Sequence, residues 1–420
     1  MTGVCPVKHG FTMMDEQFLD NPYEQYKDMR ADRVFYTPDL DAYVVTRYED
    51  ITAVLSDPAH FSSTVTLTPL TPPTDEARAI LEEVDFYRPP NLINADPPRH
   101  TKIRAFVQEA MTPKRLRAME PIVREWAAGR ITTMISQGSA DVFRDLAFPL
   151  PALAGFRLLG FPAEDLEMIK SWCEDRVAFT YGRADPADQP RVARNVAAFW
   201  VYVNDFVAKR IKEPIDDLAS DLARRHLAEP DDFTARDIAT VLFEMAVASH
   251  ETTTNLLTNG LRRLLEHRDQ WELLVADPGL IPNAVEEFLR YDGSVTSWRR
   301  RALEDAKIGD TEIPVGSTVI ILLTSANRDP AKFNDAETFD IRRKDARMHV
   351  SFGKGIHFCQ GAPLARLEVR IVLELLVEQA PDMVLAPDQT FHFVPNIVMR
   401  GPTSLLVEFP SARAGLAASA

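Results

Sequence analysis

A chain of 420 residues with 45% hydrophobic and 26% charged side chains has the composition of an ordinary globular protein. It is long enough to bury a large core without disulfide or metal staples, so disorder is excluded. Lys and Arg number 47 against 62 Asp and Glu, a formal charge of −15, which argues against nucleic acid or an anionic membrane as the main partner.

Three cysteines, Cys5, Cys173 and Cys359, are too few and too dispersed for a secreted disulfide framework. The N-terminus carries no signal-peptide pattern, and no run reaches the roughly 18 apolar residues of a membrane span. A cytoplasmic, soluble protein with neither nucleic-acid nor membrane partners is expected.

Taken in chain order, residues 15–29 read as an amphipathic helix, and 34–36 and 42–46 as short strands. Residues 62–96 are irregular and proline-rich, a loop long enough to line or cover a site. Helices then dominate, over residues 100–110, 118–137, 161–179, 190–212 and 234–268. The last would run about 50 Å at ~1.5 Å per residue, and its apolar residues point all round from Ile238 to Val247, so it belongs in the core. Strand-like runs return at 306–308, 318–323 and 403–408. The fold is therefore mainly α with a minor β part. A single domain over 1–420 is expected, with poorly ordered tails at 1–14 and 411–420.

The strongest signal is Ser351-Phe352-Gly353-Lys354-Gly355-Ile356-His357-Phe358-Cys359-Gln360-Gly361, followed by a helical run over 362–378. Glycines on both sides of the cysteine allow a tight loop whose N–H groups point at sulfur. The following helix N-terminus favours a thiolate, as an axial haem ligand requires. A buried structural cysteine and a nucleophilic Cys–His pair are the competing readings. Cys5 and Cys173 have no comparable setting.

With Phe352, Gly355, His357, Cys359 and Gly361 in register, the loop resembles the cysteine signature of the cytochrome P450 family. Three further segments agree. Glu287 and Arg290 fit the family's Glu-x-x-Arg helix, with Arg343 as the third member of a structural triad and Arg342 as the alternative. Ala248-Ser249-His250-Glu251-Thr252 fits the acid–alcohol motif of the long helix, except that Ser249 stands at a usual glycine. His100, Arg104, Arg300 and His357 match the positions that hold haem propionates through charge-assisted bonds. The resemblance spans residues 22–409, nearly the whole chain.

It implies a P450-like fold with haem b between the long helix and the cysteine loop. Cys359 would ligate the iron, with Phe352, Gly353, Gly361 and Ala248 against the macrocycle, and Glu251 and Thr252 would relay protons for O2 activation. The implied activity is monooxygenation, by hydroxylation or O-dealkylation, of a compact hydrophobic and aromatic substrate. Phe86, Tyr87, Phe179, Tyr181, Val247, Val295, Trp298, Phe393 and Val394 would line its pocket. Residues 281–287 and 293–300 look like a subgroup that includes herbicide-degrading and reductase-fused bacterial members, which points to xenobiotic or aromatic catabolism. A biosynthetic tailoring hydroxylase is the alternative, and a haem sensor or carrier without turnover is the alternative of another class. With eleven residues beyond Phe409, no fused reductase is expected. Electrons would come from a separate ferredoxin or flavodoxin-type carrier with an NAD(P)H reductase, docked on Lys102, Lys114, Arg115, Arg117 and Lys354.

Overall fold

The computed structural model describes residues 5–11 and 13–412. Of the tails expected to be loose, residues 1–4, 12 and 413–420 lie outside the described residues. The described N-terminal segment is packed: Val7 bridges Tyr36, and Phe11 lies edge-on against Phe18 and Phe35.

The long helix spans Ala235–Glu266, opened by a capping box between Thr234 and Asp237, which satisfies orphan N–H groups at its start. Its first half, Ile238 to Val247, is buried in one apolar cluster. Its last part, Leu256 to Leu265, is buried in a second. The polar stretch 248–255 falls between the two, where the helix borders a cavity. Thr252 and Thr254 donate to the carbonyls of Ala248 and His250, four residues back, at 2.9 and 3.1 Å, yet the segment stays helical throughout.

Two expectations change. The helix expected over 161–179 begins later, at Leu166–Tyr181 after a short turn at Ala163–Asp165, and it is preceded by an unforeseen helix, Pro149–Leu159. Gly160 ends that preceding helix with φ +96°, a left-handed cap that glycine adopts without steric cost. The irregular 62–96 segment contains a helix, Asp75–Glu83, whose start is fixed by Thr74 accepting from the Ala77 N–H.

The strands are β1 (Val34–Thr37), β2 (Ala42–Val45), β3 (Phe61–Ser62), β4 (Ser139–Asp141), β5 (Ser297–Ala302), β6 (Ala306–Ile308), β7 (Thr311–Ile313), β8 (Thr318–Leu322), β9 (Val384–Leu385) and β10 (Leu406–Glu408). A five-stranded sheet has the order β1-β2-β8-β5-β3. β2 pairs with β8 in parallel, and the other pairings are antiparallel. β5 was not foreseen, because its sequence SWRRRA lacks the apolar alternation of a half-buried strand; in the fold Arg299 and Arg300 are both buried. No helix among the described residues is long and apolar enough to cross a membrane.

Beneath the cysteine loop, Glu287 and Arg290 are fully buried on helix Ile281–Tyr291. They make two bonds, at 2.7 and 2.8 Å. Arg343 reaches Glu287 at 3.4 Å, whereas Arg342 pairs with Asp340. Arg290 also donates to the carbonyls of Asn327, Ala336 and Thr338, so one side chain ties two further segments to the helix.

Candidate active site

The cysteine loop is closed by the Cys359 N–H donating to the Phe352 carbonyl at 2.9 Å. Gly353 and Gly355 take φ of +72° and +70°. At Gly355 the requirement is double, since a Cβ there would also stand 2.5 Å from the Leu55 carbonyl oxygen. Cys359 is exposed because it lines the cavity. Although the residue borders the cavity, its sulfur is shielded by the surrounding chain, which raises the thiol above its usual value, while the N–H groups of Gly361 and Ala362 bond the sulfur and lower it. A bound cation would favour the thiolate further.

On one side of the cavity His100 and His357 stack with ring centroids 4.2 Å apart. His357 Nδ1 donates to the Leu92 carbonyl at 3.0 Å. Its Nε2 and both ring nitrogens of His100 are buried without a partner. Arg300, on β5 and 5% exposed, bonds only the carbonyl of its neighbour Arg299. Burial lowers both histidines to about 4 and Arg300 to about 10. Arg104 also lines the cavity, with Nη2 on the Phe358 carbonyl at 2.6 Å. Buried donors left unpaired are costly, and a carboxylate among them would satisfy them and restore their charge. A porphyrin with two propionates meets that need, and one loop cysteine supplies an axial ligand, so these residues fit haem.

On the other side the central helix presents Val241, Glu244, Met245, Ala248, Ser249 and Thr252 to the cavity. Thr252 spends its hydroxyl proton on the Ala248 carbonyl, which leaves the oxygen as an acceptor. Glu251 does not line the cavity. Burial first, then Glu174, pushes its carboxyl up from 4.5 to about 7, while Asn255 and Lys170 pull it down. The Ser249 hydroxyl donates to the Ala246 carbonyl at 3.1 Å. The side chain also packs into the space that a Cβ on Gly155 would fill.

Of the expected substrate residues, Val247, Val295, Trp298 and Tyr181 line the cavity. Five do not. Phe86 packs edge-on against Trp200 and Phe243, Phe179 is core, and Tyr87 and Val394 are exposed. Phe393 stacks under the Arg400 guanidinium at 4.5 Å. The lining instead takes Asn91, Leu92, Ile93, Met245 and Met399, aliphatic or amide side chains that a preference for aromatics overlooks. Glu368, whose two carboxyl oxygens are buried without partners beside the cavity, was also missed; in the sequence it sits between Leu367 and Val369 with Arg370 close by, and reads as an ordinary charged helix position. In the expected basic docking patch, Lys102 pairs with Asp232 and Arg115 with Asp216 and Asp221, and Lys102, Lys114, Arg117 and Lys354 are exposed.

The Cytochrome P450 family model matches residues 279–380. Cytochrome P450 monooxygenase PikC of Streptomyces venezuelae is 36% identical over 411 residues, covering 95% of this chain and 94% of that protein. Polyketide biosynthesis cytochrome P450 PksS of Bacillus subtilis (strain 168) is 32% identical over 406 residues, 93% of this chain and 96% of its own. The solved cytochrome P450 CREJ in complex with (4-ethylphenyl) dihydrogen phosphate superposes with a TM-score of 0.91 at 37% identity, covering 96% of this chain and 99% of that one. Fold and site together define a haem enzyme with a cysteine-bearing loop. The chain belongs to the cytochrome P450 family and is a monooxygenase, with haem b as cofactor and O2 as co-substrate.

Proposed function

We propose that the enzyme inserts one oxygen atom of O2 into a compact hydrophobic, aromatic substrate, by hydroxylation or O-dealkylation, with electrons from a separate ferredoxin or flavodoxin-type carrier and its NAD(P)H reductase. The observation that carries this reading is one cavity that brings Cys359, Arg300 and His357 together with apolar Trp298, Val295 and Val247, while Nε2 of His357 and both ring nitrogens of the stacked His100 are buried without a partner. The aromatic ligand named for the solved relative supports an aromatic ring here. Exposed Lys114, Arg117 and Lys354 are the docking cations for an acidic carrier.

Bound haem supplies the activation of O2 and the transfer of one oxygen atom to a C–H bond, while two electrons and two protons carry the other oxygen away as water. The chain's residues do the rest. Cys359 would hold the iron, and Phe352, Gly353, Gly361 and Ala248, which line the same cavity, would contact the macrocycle. His100, Arg104, Arg300 and His357 would bind its propionates. Glu251, poised near neutrality, passes protons inward, and the Thr252 oxygen accepts a hydrogen bond at the cavity wall. Glu287, Arg290 and Arg343 keep the loop in place.

A tailoring hydroxylase of a biosynthetic pathway is the second reading, favoured by the polyketide-biosynthesis relative. Purified haem-loaded protein, reduced and exposed to CO, should show the absorption band of thiolate ligation, and Cys359→Ser should lose both band and turnover. Retention of turnover in that variant would overturn the proposal. A screen of single-ring aromatics against larger polycyclic and macrocyclic compounds, read by the haem spin-state change, separates the two substrate readings.

A further inference from the structure

Behind the cavity wall formed by Glu244 and Tyr181 lie charges that the reaction above does not use, on Arg88, Arg176 and Arg299, none of which lines the cavity itself. Arg176, on helix Leu166–Tyr181, and Glu244, on the central helix, are 3% and 4% exposed. Arg176 Nη2 donates to Glu244 Oε1 at 3.3 Å, and Arg88 pairs with the same oxygen. The Arg88 guanidinium lies over the rings of Phe86 and Phe243, 5.0 and 5.7 Å from their centroids. Nε of Arg88 and Nε of Arg176 are buried with no hydrogen-bond partner. A third arginine, Arg299, is 7% exposed and spends Nη2 on the carbonyls of Thr66 and Thr68. All three act electrostatically on Tyr181, which lines the cavity together with Glu244.

Three guanidiniums against one carboxylate leave two positive charges uncompensated. Among the described residues, Glu244 is the one carboxylate within ion-pair distance of any of them. Buried charge without a counter-charge is expensive, and three segments distant in sequence have to meet to create it. Such a cluster is what a planar, multi-oxygen anion requires. Glu244 holds Arg88 and Arg176 together at the cavity edge and so preorganises them.

We propose that this cluster is an anion subsite. The substrate is then an aromatic molecule bearing an anionic oxygen group, a phosphate monoester or a carboxylate. Its oxygens take donors from Arg88, Arg176 and the Tyr181 hydroxyl, while its ring occupies the apolar space at Trp298, Val295 and Val247. The proposal rests on reading this cavity as the substrate site. It also sets regiochemistry. Glu244 and Thr252 are eight residues apart on one helix, about 12 Å at ~1.5 Å per residue. A ring held at the cluster by its anion therefore presents the opposite, para end to the oxygen-transfer side.

The test titrates haem-loaded protein with phenyl phosphate, benzoate, phenol and benzylamine, following the haem spin-state change and, independently, the heat of binding. At least one of the two anions should bind tenfold or more tightly than phenol; preference for phenyl phosphate identifies a phosphate ester, and preference for benzoate a carboxylate. Arg176→Gln and Tyr181→Phe should each erase most of that preference, while phenol and imidazole affinities stay within twofold. Equal binding of anions and phenol, or an anion preference that survives both substitutions, overturns the proposal; benzylamine, whose nitrogen can ligate the haem iron, serves only to mark direct iron ligation. The reduced CO spectrum of the same samples reports thiolate ligation separately. A normal spectrum without anion preference removes only the subsite, whereas loss of the spectrum removes the functional reading itself.

Discussion

Glu251 links catalysis to stability in a way that one substitution can expose. Its folded-state pKa is raised from 4.5 to about 7, so the folded protein favours the protonated acid more than the unfolded chain does. The sign follows: this group's contribution is fully present below about 4.5 and is lost as pH rises through 7. At ~1.4 kcal/mol per pKa unit, ionised Glu251 costs the folded state about 3 kcal/mol, an upper value because the half-buried carboxyl keeps some solvent contact. Glutamine keeps the shape and cannot ionise. Glu251→Gln should therefore exceed the parent by less than about 1 kcal/mol at pH 5 and by about 2–3 kcal/mol more at pH 9. With ~2.1 cal/mol/K of unfolding entropy per residue, 420 residues turn that into a gain of about 3 °C in Tm. Calorimetric unfolding of haem-loaded protein at the two pH values reads the effect, and turnover should fall about 100-fold or more if the proton relay is lost. A Tm difference that does not change between pH 5 and pH 9, or a variant less stable at pH 9, refutes the reasoning.

Glu287→Gln leaves Arg290 buried without its full counter-charge and should cost about 3–5 kcal/mol, a large part of the ~5–15 kcal/mol that typically holds a domain; urea unfolding measures it. Gly355→Ala combines a φ of +70° with a Cβ 2.5 Å from the Leu55 carbonyl. The loop has to shift at a cost of about 1–3 kcal/mol or more, and the fraction of purified protein that retains haem should drop.

What could be read from the sequence was carried by residues close together along the chain. The cysteine loop, the Glu287–Arg290 pair and the Glu251–Thr252 step each lie within one local element, so spacing alone exposes them. The stacked His100 and His357 are 257 residues apart, and only the resemblance to a family brought them together. The pocket aromatics fared worst, because Phe86 and Phe179 serve the core equally well and size does not distinguish the two uses. A better signal was present in the central helix. Counting back from Thr252 by helical steps of three and four reaches Ala248, then Glu244 and Met245, then Val241, all of them on the cavity wall. The arginine cluster had no such signal, since Arg88, Arg176 and Arg299 come from three separate segments, and each alone reads as an ordinary surface charge.

The contact between Gly155 and Ser249 means that two neighbouring helices share a single allotment of volume. A Cβ on Gly155 would come within 2.2 Å of the Ser249 hydroxyl oxygen, so the pair tolerates one side chain but not two. Restoring glycine at 249 would vacate the room that alanine at 155 needs, and the two positions are therefore free to drift only in concert. The unusual serine is thus one half of an exchange whose other half sits across the helix boundary.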